Sequence, residues 1–468
     1  MLKLLESLAS SSSTWIELRY HARHSKRLVV RNGRVEETSS SEQTGVGIRA
    51  FVDGAFGFAS TSDLTRSGIS RAADVARSAA RAFAVAKRQR IERLARATLA
   101  RGNFPLETED PLQDHTLDEK LALIVRLERQ VRNEHELVVS SAVSYEEMID
   151  EKAIATSDGA AFTLHSTRPG LRILAVAGKE GKQAYFLETI GVTGGWSDLF
   201  RARQPEEQVR RAVRLAVDQL EASAPTGGVA QVILDPDLVS VLAHEAIGHN
   251  VEADIVLGGA ATADKLNQRV ASEKVTLRDS GMSVLKPNAV GLMPVDDEGI
   301  PNEGTTIIEN GILRSYLHNR ETAGHFDVAP TGNARANTYQ DEPLVRMTNT
   351  YIEPGVTPLE EMVASMADGY LLRGFSQTGQ ADSNGEFMFG VKEAWRVQDG
   401  HQTELVRGVT ISGNAFETLL SVDAVGDSFD WEYPAGYCGK GQAAKVDGGG
   451  PFIRCRLTIG GSQEGANG

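Results

Sequence analysis

Two histidines and a glutamate stand together in His244-Glu245-Ala246-Ile247-Gly248-His249, residue types that can hold a divalent metal ion and move a proton beside it. His244 and His249 are the candidate ligands and Glu245 the candidate base. In the familiar zinc-binding helix, two residues follow the glutamate, so the histidines lie one helical turn apart. Here three residues follow it. On a regular helix an offset of five residues turns the second side chain about 140° from the first, against about 40° for an offset of four. A regular α-helix therefore cannot aim both imidazoles at one ion. Absorbing the extra residue as a π-turn returns His249 to the face of His244. The spacing thus predicts a departure from α geometry near Gly248, a residue that tolerates distortion.

A catalytic zinc site takes three protein ligands and keeps one position for water. Beyond the two histidines, the candidates are Cys438, Cys455, His318, His325 and the many carboxylates. Cys455 lies in Ile453-Arg-Cys-Arg-Leu-Thr-Ile459, whose alternation reads as a half-buried strand with the cysteine on its inner face. Cys438 lies instead in Tyr433-Pro-Ala-Gly-Tyr-Cys-Gly-Lys-Gly441, where glycines let the backbone approach another group and Lys440 could stabilise a thiolate. Cys438 is the favoured third ligand. Glu252 and Asp254 fit carboxylates that orient the imidazoles from behind. His318, His325 and Arg346 are candidate substrate contacts, although satisfied structural roles are the commoner use of such residues.

These residues need a frame. Val229-Ala-Gln-Val-Ile-Leu234 reads as a short buried strand, and Asp235 can cap a helix that begins at Pro236. Leu238, Val241 and Leu242 give that helix an apolar face. Upstream, Trp15–Tyr20, Arg27–Arg31 and Val46–Val52 read as strands before a long Ala/Arg-rich helix from Arg71 to Arg101. After a loop from Gly102 to His115 comes a helix from Leu117 to Asn133. Strands at Leu137–Ser141, Ala153–Thr156 and Leu171–Ala177 follow, then a helix from Pro205 to about Ala222. Beyond Pro225-Thr-Gly-Gly228 short strands dominate, and Ile307–Tyr316 reads as a hairpin turned at Glu309-Asn310-Gly311. The expected class is α+β. Mixed regions at 1–101 and 102–224 precede a strand-rich region at 225–468 that carries the metal helix.

Composition narrows the function. A length of 468 residues with 41% hydrophobic content supports real cores, and two cysteines make no disulfide framework. A net charge of −14 argues against nucleic acid as a partner. The apolar run at the start is broken by Glu6, and no stretch has the length of a membrane span. A cytoplasmic enzyme is expected.

The metal motif and the Cys438 loop together resemble the TldD/PmbA metallopeptidases, in particular the metal-bearing TldD branch, over essentially the whole chain. The family's H-E-x-x-x-H-x-x-E-x-D pattern is matched by His244, Glu245, His249, Glu252 and Asp254, and its zinc-completing cysteine by Cys438 in Gly436-Tyr-Cys-Gly-Lys440. Supporting stretches include Gly45-Val-Gly-Ile-Arg49, Glu309-Asn-Gly-Ile-Leu313, Pro330-Thr-Gly-Asn333 and Arg346-Met-Thr-Asn-Thr350. The resemblance implies one zinc ion per chain on His244, His249 and Cys438, with Glu245 activating water for peptide-bond hydrolysis. It implies unfolded or flexible peptides as substrates, including trimmed leader segments, which a strand-rich domain could hold by β-addition. It also implies a dimer, either of two copies or with a metal-free PmbA/TldE-like paralogue. Two rivals stand beside this reading: a thiol hydrolase using Cys438, and a non-catalytic partner protein with a structural zinc.

Overall fold

The computed structural model describes residues 1–86, 91, 93–106, 108–287, 289–432 and 436–461. The first half is built on one long antiparallel hairpin, β1 (Trp15–Arg31) and β2 (Arg34–Val52), followed by β3 (Ala55–Thr61). Strands β4 (Arg101–Pro105), β5 (Val138–Thr156), β6 (Ala161–Lys179) and β7 (Lys182–Gly191) complete a seven-stranded sheet in the order β3-β2-β1-β5-β6-β4, with β7 also on β6. The pairing of β1 with β5 makes one sheet of the regions at 1–101 and 102–224. Helices α1 (Leu2–Ser10) and α2 (Arg66–Ala86) cover its first part. Helices α3 (Leu117–Glu134), α4 (Trp196–Ala202) and α5 (Pro205–Asp218) cover the rest. Thr116 and Glu119 start α3 with reciprocal side-chain-to-backbone hydrogen bonds.

Three local expectations are corrected here. The strands expected at Trp15–Tyr20 and Arg27–Arg31 are one strand, as are those at Leu137–Ser141 and Ala153–Thr156. Between them both faces carry polar residues, so alternation fades although the ladder continues. The Ala/Arg-rich helix spans Arg66–Ala86 among the described residues, and residues 87–90 and 92 of its expected range lie outside them. Further on, Ile91, Ala95 and Ala100 donate their N–H groups to Gly54, Arg320 and Gly299; tertiary hydrogen bonds override helical propensity there. Part of the expected loop at 102–115 belongs to β4, which pairs in parallel with Ala161–His165.

The second half opens with β8 (Gly228–Leu234), which pairs with both Asp368–Ala381 and Ile453–Gly461. Val409–Asn414 and Glu386–Gln398 continue the sheet, and the last strand pairs back onto Asp368–Ala381, closing a five-stranded barrel. A six-stranded sheet runs in the order Ile312–Leu313, Thr305–Glu309, Leu277–Ser280, Asn349–Ile352, Asp447–Gly450, Asp430–Trp431. Its first hairpin turns at Asn310 and Gly311, both with positive φ, as the Asn-Gly pair predicts. Helix α6 (Pro236–Val241) packs against strands of both the barrel and this sheet, within the largest apolar core of the second half. No helix among the described residues is long and apolar enough to cross a membrane.

Candidate metal centre

Asp235 caps α6 by accepting the N–H of Leu238 at 3.0 Å, and Pro236 takes the first helical position. Leu238, Val241 and Leu242 are buried, anchoring the helix in the core. From Leu242 to Gly248 the helix widens into a π-turn, in which the N–H of His249 bonds to the carbonyl of His244, five residues back. The extra residue is absorbed where the spacing requires it. The two imidazoles face each other with ring centres 5.4 Å apart and planes nearly perpendicular. The role of Gly248 differs from expectation: its φ of −58° and ψ of −45° are ordinary helical values. A Cβ at this position would lie 2.0 Å from Sδ of Met347, so the glycine serves close packing rather than backbone freedom.

Cys438 arrives on a short hairpin, Tyr437–Gly439 paired with Ala443–Lys445; Tyr433, Pro434 and Ala435 of its expected loop lie outside the described residues. Ligand atoms of His244, His249 and Cys438 all lie within 4.8 Å of one another, with Cys438 Sγ 3.1 Å from His249 Nε2. Two imidazoles and a thiol converging on one point are a donor set that suits a zinc ion. The two imidazoles sit in different fields: burial, with repulsion from His249, Arg346 and Arg335, holds the His244 pKa well below its ordinary value. Burial opposes a positive imidazole at His249, but Glu252 and the Cys438 sulfur outweigh it and raise its pKa well above the ordinary value. Glu252, wholly buried, accepts from His249 Nδ1 at 2.9 Å and so leaves Nε2 directed at the cysteine.

A second layer locks the hairpin to the motif. Lys440 reaches Glu252 at 3.1 Å, Asp254 at 2.6 and 2.7 Å, and the carbonyl of Val345 at 3.0 Å. Arg346 donates to the carbonyls of Cys438 at 2.6 Å and Gln442 at 2.7 Å, and its Nε lies 4.0 Å from Glu252. Arg346, a candidate substrate contact from its residue type, is buried here as a clamp on the cysteine hairpin. Asp254 meets Lys440 rather than an imidazole. These long-range partnerships carry no local sequence signal.

Glu245 lies 3.6 Å from His249 Nε2 and opens onto a cleft of 590 Å³. Burial, helped by Glu252, holds its carboxyl above the usual range despite the pull of His249. The cleft is also lined by Tyr437, by Gly379 to Ala381, and by charged residues that include Arg203, Arg211, Asp235 and Asp237. Arg203 and Arg211 had no place in the sequence-based expectation of the site, because they come from the first half of the chain. His318 is buried against Thr322 and Phe326, and burial lowers its pKa to about 4. His325 is exposed in the last turn of a separate helix, and Cys455 lies in the barrel core as its alternation predicts.

The chain is similar to known proteins over most of its length. Residues 227–461 match the family described as the PmbA/TldA metallopeptidase C-terminal domain, residues 16–80 its domain 1, and residues 110–220 its central domain. A metalloprotease of Methanothermobacter thermautotrophicus is 34% identical over 95% of each chain. The zinc metalloprotease TldD homolog of Saccharolobus solfataricus is 32% identical over 74% of this chain and 76% of its own. Among solved structures, TldE from Thermococcus kodakarensis shares the fold, with a TM-score of 0.77 at 18% identity, covering 98% of this chain and 100% of that one. With domain matches along most of its length and a relative one-third identical across it, the chain belongs to the PmbA/TldD metallopeptidase family.

Proposed function

We propose that the protein is a TldD-type zinc peptidase that hydrolyses peptide bonds in unfolded or flexible chains, including leader segments of precursors. The observation that carries this reading is the convergence of His244, His249 and Cys438 beside a carboxylate that opens onto a cleft. His244, His249 and Cys438 would hold the ion, whose contribution when bound is to acidify water and polarise a carbonyl. Glu245 takes a proton from water on its carboxylate and delivers it to the leaving amine. Its raised pKa suits both halves of that task, since a base that returns its proton works best when poised near the operating pH. Glu252 fixes the His249 ring, while Lys440 and Arg346 hold the cysteine hairpin in reach. Gly379 to Ala381 supply strand backbone beside the cleft, against which an extended peptide can pair with little side-chain preference.

Several wider elements belong to the same proposal. The chain works in the cytoplasm as a dimer, of two copies or with a metal-free PmbA/TldE-like partner, and its three regions act as domains at 1–101, 102–224 and 225–468. The Cys438 to His249 contact also fits a thiol nucleophile with its base. Chelation separates the two readings, because a thiol hydrolase survives it.

The deciding experiment measures zinc content and cleavage of an unfolded peptide for the wild type, Glu245→Gln and Cys438→Ala. Glu245→Gln should keep its zinc and lose roughly 10²- to 10⁴-fold in rate. Cys438→Ala should lose zinc. Unchanged cleavage by the glutamine variant would remove Glu245 as the base, and undiminished zinc in the alanine variant would remove Cys438 as a ligand.

A further inference from the structure

Where the Cys438 hairpin meets the first sheet, positive charge is concentrated. A cavity of 40 Å³ there is lined by Arg23, Lys152, Arg168, Arg335 and Lys445. Arg23, Lys152 and Arg168 come from β1, β5 and β6, Arg335 from the Ala334–Arg335 strand, and Lys445 from the second arm of the hairpin. Two carboxylates pair with this group. Asp150 is fully engaged by His21 Nε2 at 2.8 Å, Arg23 Nε at 2.7 Å and Arg168 Nη1 at 3.2 Å. Asp297 is held by Lys152 at 2.7 and 2.9 Å.

The remaining positive charge meets neutral acceptors. Arg335 donates to the carbonyls of Met347 and Lys445, which satisfies its N–H groups without cancelling its charge. Arg168 likewise donates to the carbonyls of Val290 and Leu292. Lys445 forms no ion pair among the described residues and lies 4.3 Å from the centre of the Tyr437 ring. Burial, with repulsion from Arg168 and Arg172, lowers the Lys445 pKa to about 8 although Glu146 and Asp447 act the other way. Burial with repulsion from Arg346 and Arg168 lowers Arg335 to about 10, although Asp279 and Asp297 act the other way. Among the residues that line the cavity, five cations face one carboxylate, Asp150. Leaving like charges together in a poorly solvated space is costly unless a counter-charge joins them.

We propose that the cavity binds a small monovalent anion, chloride in an ordinary saline medium, which neutralises the seam and ties the Cys438 hairpin to the first sheet. A water molecule needs about 10–15 Å³ of such space, so the cavity takes a halide with a companion water and excludes a nucleotide or sugar phosphate. Ser166 adds a neutral donor: its Oγ accepts from Arg168 at 2.9 Å, leaving its own proton to point elsewhere. The anion site is separate from the metal donors and does not depend on the proposed reaction.

The test is thermal unfolding of the full-length, zinc-loaded protein at fixed ionic strength, with chloride replacing gluconate. Chloride well above its Kd should raise the wild-type Tm by about 1–2 °C in a saturable way. Lys445→Gln should abolish that rise, and in gluconate it should be at least as stable as the wild type, because it removes a cation that forms no ion pair among the described residues. Identical melting in the two salts, or an equal chloride effect in the variant, would overturn the proposal. Should the variant fail to fold, bromide soaked into wild-type crystals must give an anomalous peak in the cavity. Absence of that peak would also overturn the site.

Discussion

Lys440 joins the two halves of the candidate metal centre. Its main chain stands two residues from Cys438, while its ammonium is shared by Glu252, Asp254 and the carbonyl of Val345. Replacing it by methionine keeps the stem and removes the charge, leaving the buried Glu252 with less cationic support and the hairpin without its tether. Zinc affinity of Lys440→Met should fall roughly 10- to 100-fold, as expected when a group behind a ligand is removed. Competition against a chromophoric chelator measures it, and an unchanged affinity would show that the hairpin holds itself in place. At this scale the local residue types were enough to pick out His244, His249 and Cys438, whose ligand atoms the structure gathers within 4.8 Å of one another. The sequence was silent on Arg346 and Lys440 as clamps, since a long cation reveals nothing of its partner until the fold supplies one.

At the scale of elements, the π-turn is the feature that a single residue spacing predicted, through geometry alone. What spacing could not supply was the reason for Gly248, which depends on Met347 from a distant part of the chain. Gly248→Ala should cost roughly 1–3 kcal/mol through overpacking against that thioether. Adding Met347→Ala should recover part of the loss if the clash is the cause. Chemical denaturation of the single and double variants reads this, and strict additivity would sink the explanation. Strand ends were poorly legible for a related reason. From Arg34 to Thr44 the second strand is exposed on nearly every residue, so neither face leaves an apolar mark.

For the whole molecule, buried titratable groups set opposing pH dependences. Burial lowers the His318 pKa to about 4, below its ordinary 6.5. The unfolded chain therefore binds this proton where the folded one does not, and stability present above pH 6.5 is lost as pH falls towards 4. Asp235 works the other way: burial and its neighbour Asp237 raise its carboxyl to about 8, so its contribution declines as pH rises. The wild-type curve alone mixes these effects, whereas its difference from His318→Gln isolates one. Urea unfolding from about pH 7 to about pH 4 should show the wild type losing stability relative to the variant; a difference independent of pH would refute the assignment. The joining of the first two regions into one sheet lay beyond sequence reading, because the β1 to β5 register is fixed by residues more than a hundred positions apart.

The closure of the barrel has a consequence for biosynthesis. Helix α6 and its histidines hang from β8, and β8 is flanked by Asp368–Ala381 on one side and Ile453–Gly461 on the other. A growing chain presents β8 long before either neighbour exists, and pairing across such separations is slow. The strand that carries α6 and its histidines thus lacks one of its two neighbours until Ile453–Gly461 has been made and has paired with it. A chain cut short before Ile453 should accordingly retain no zinc on purification, although it contains every proposed ligand.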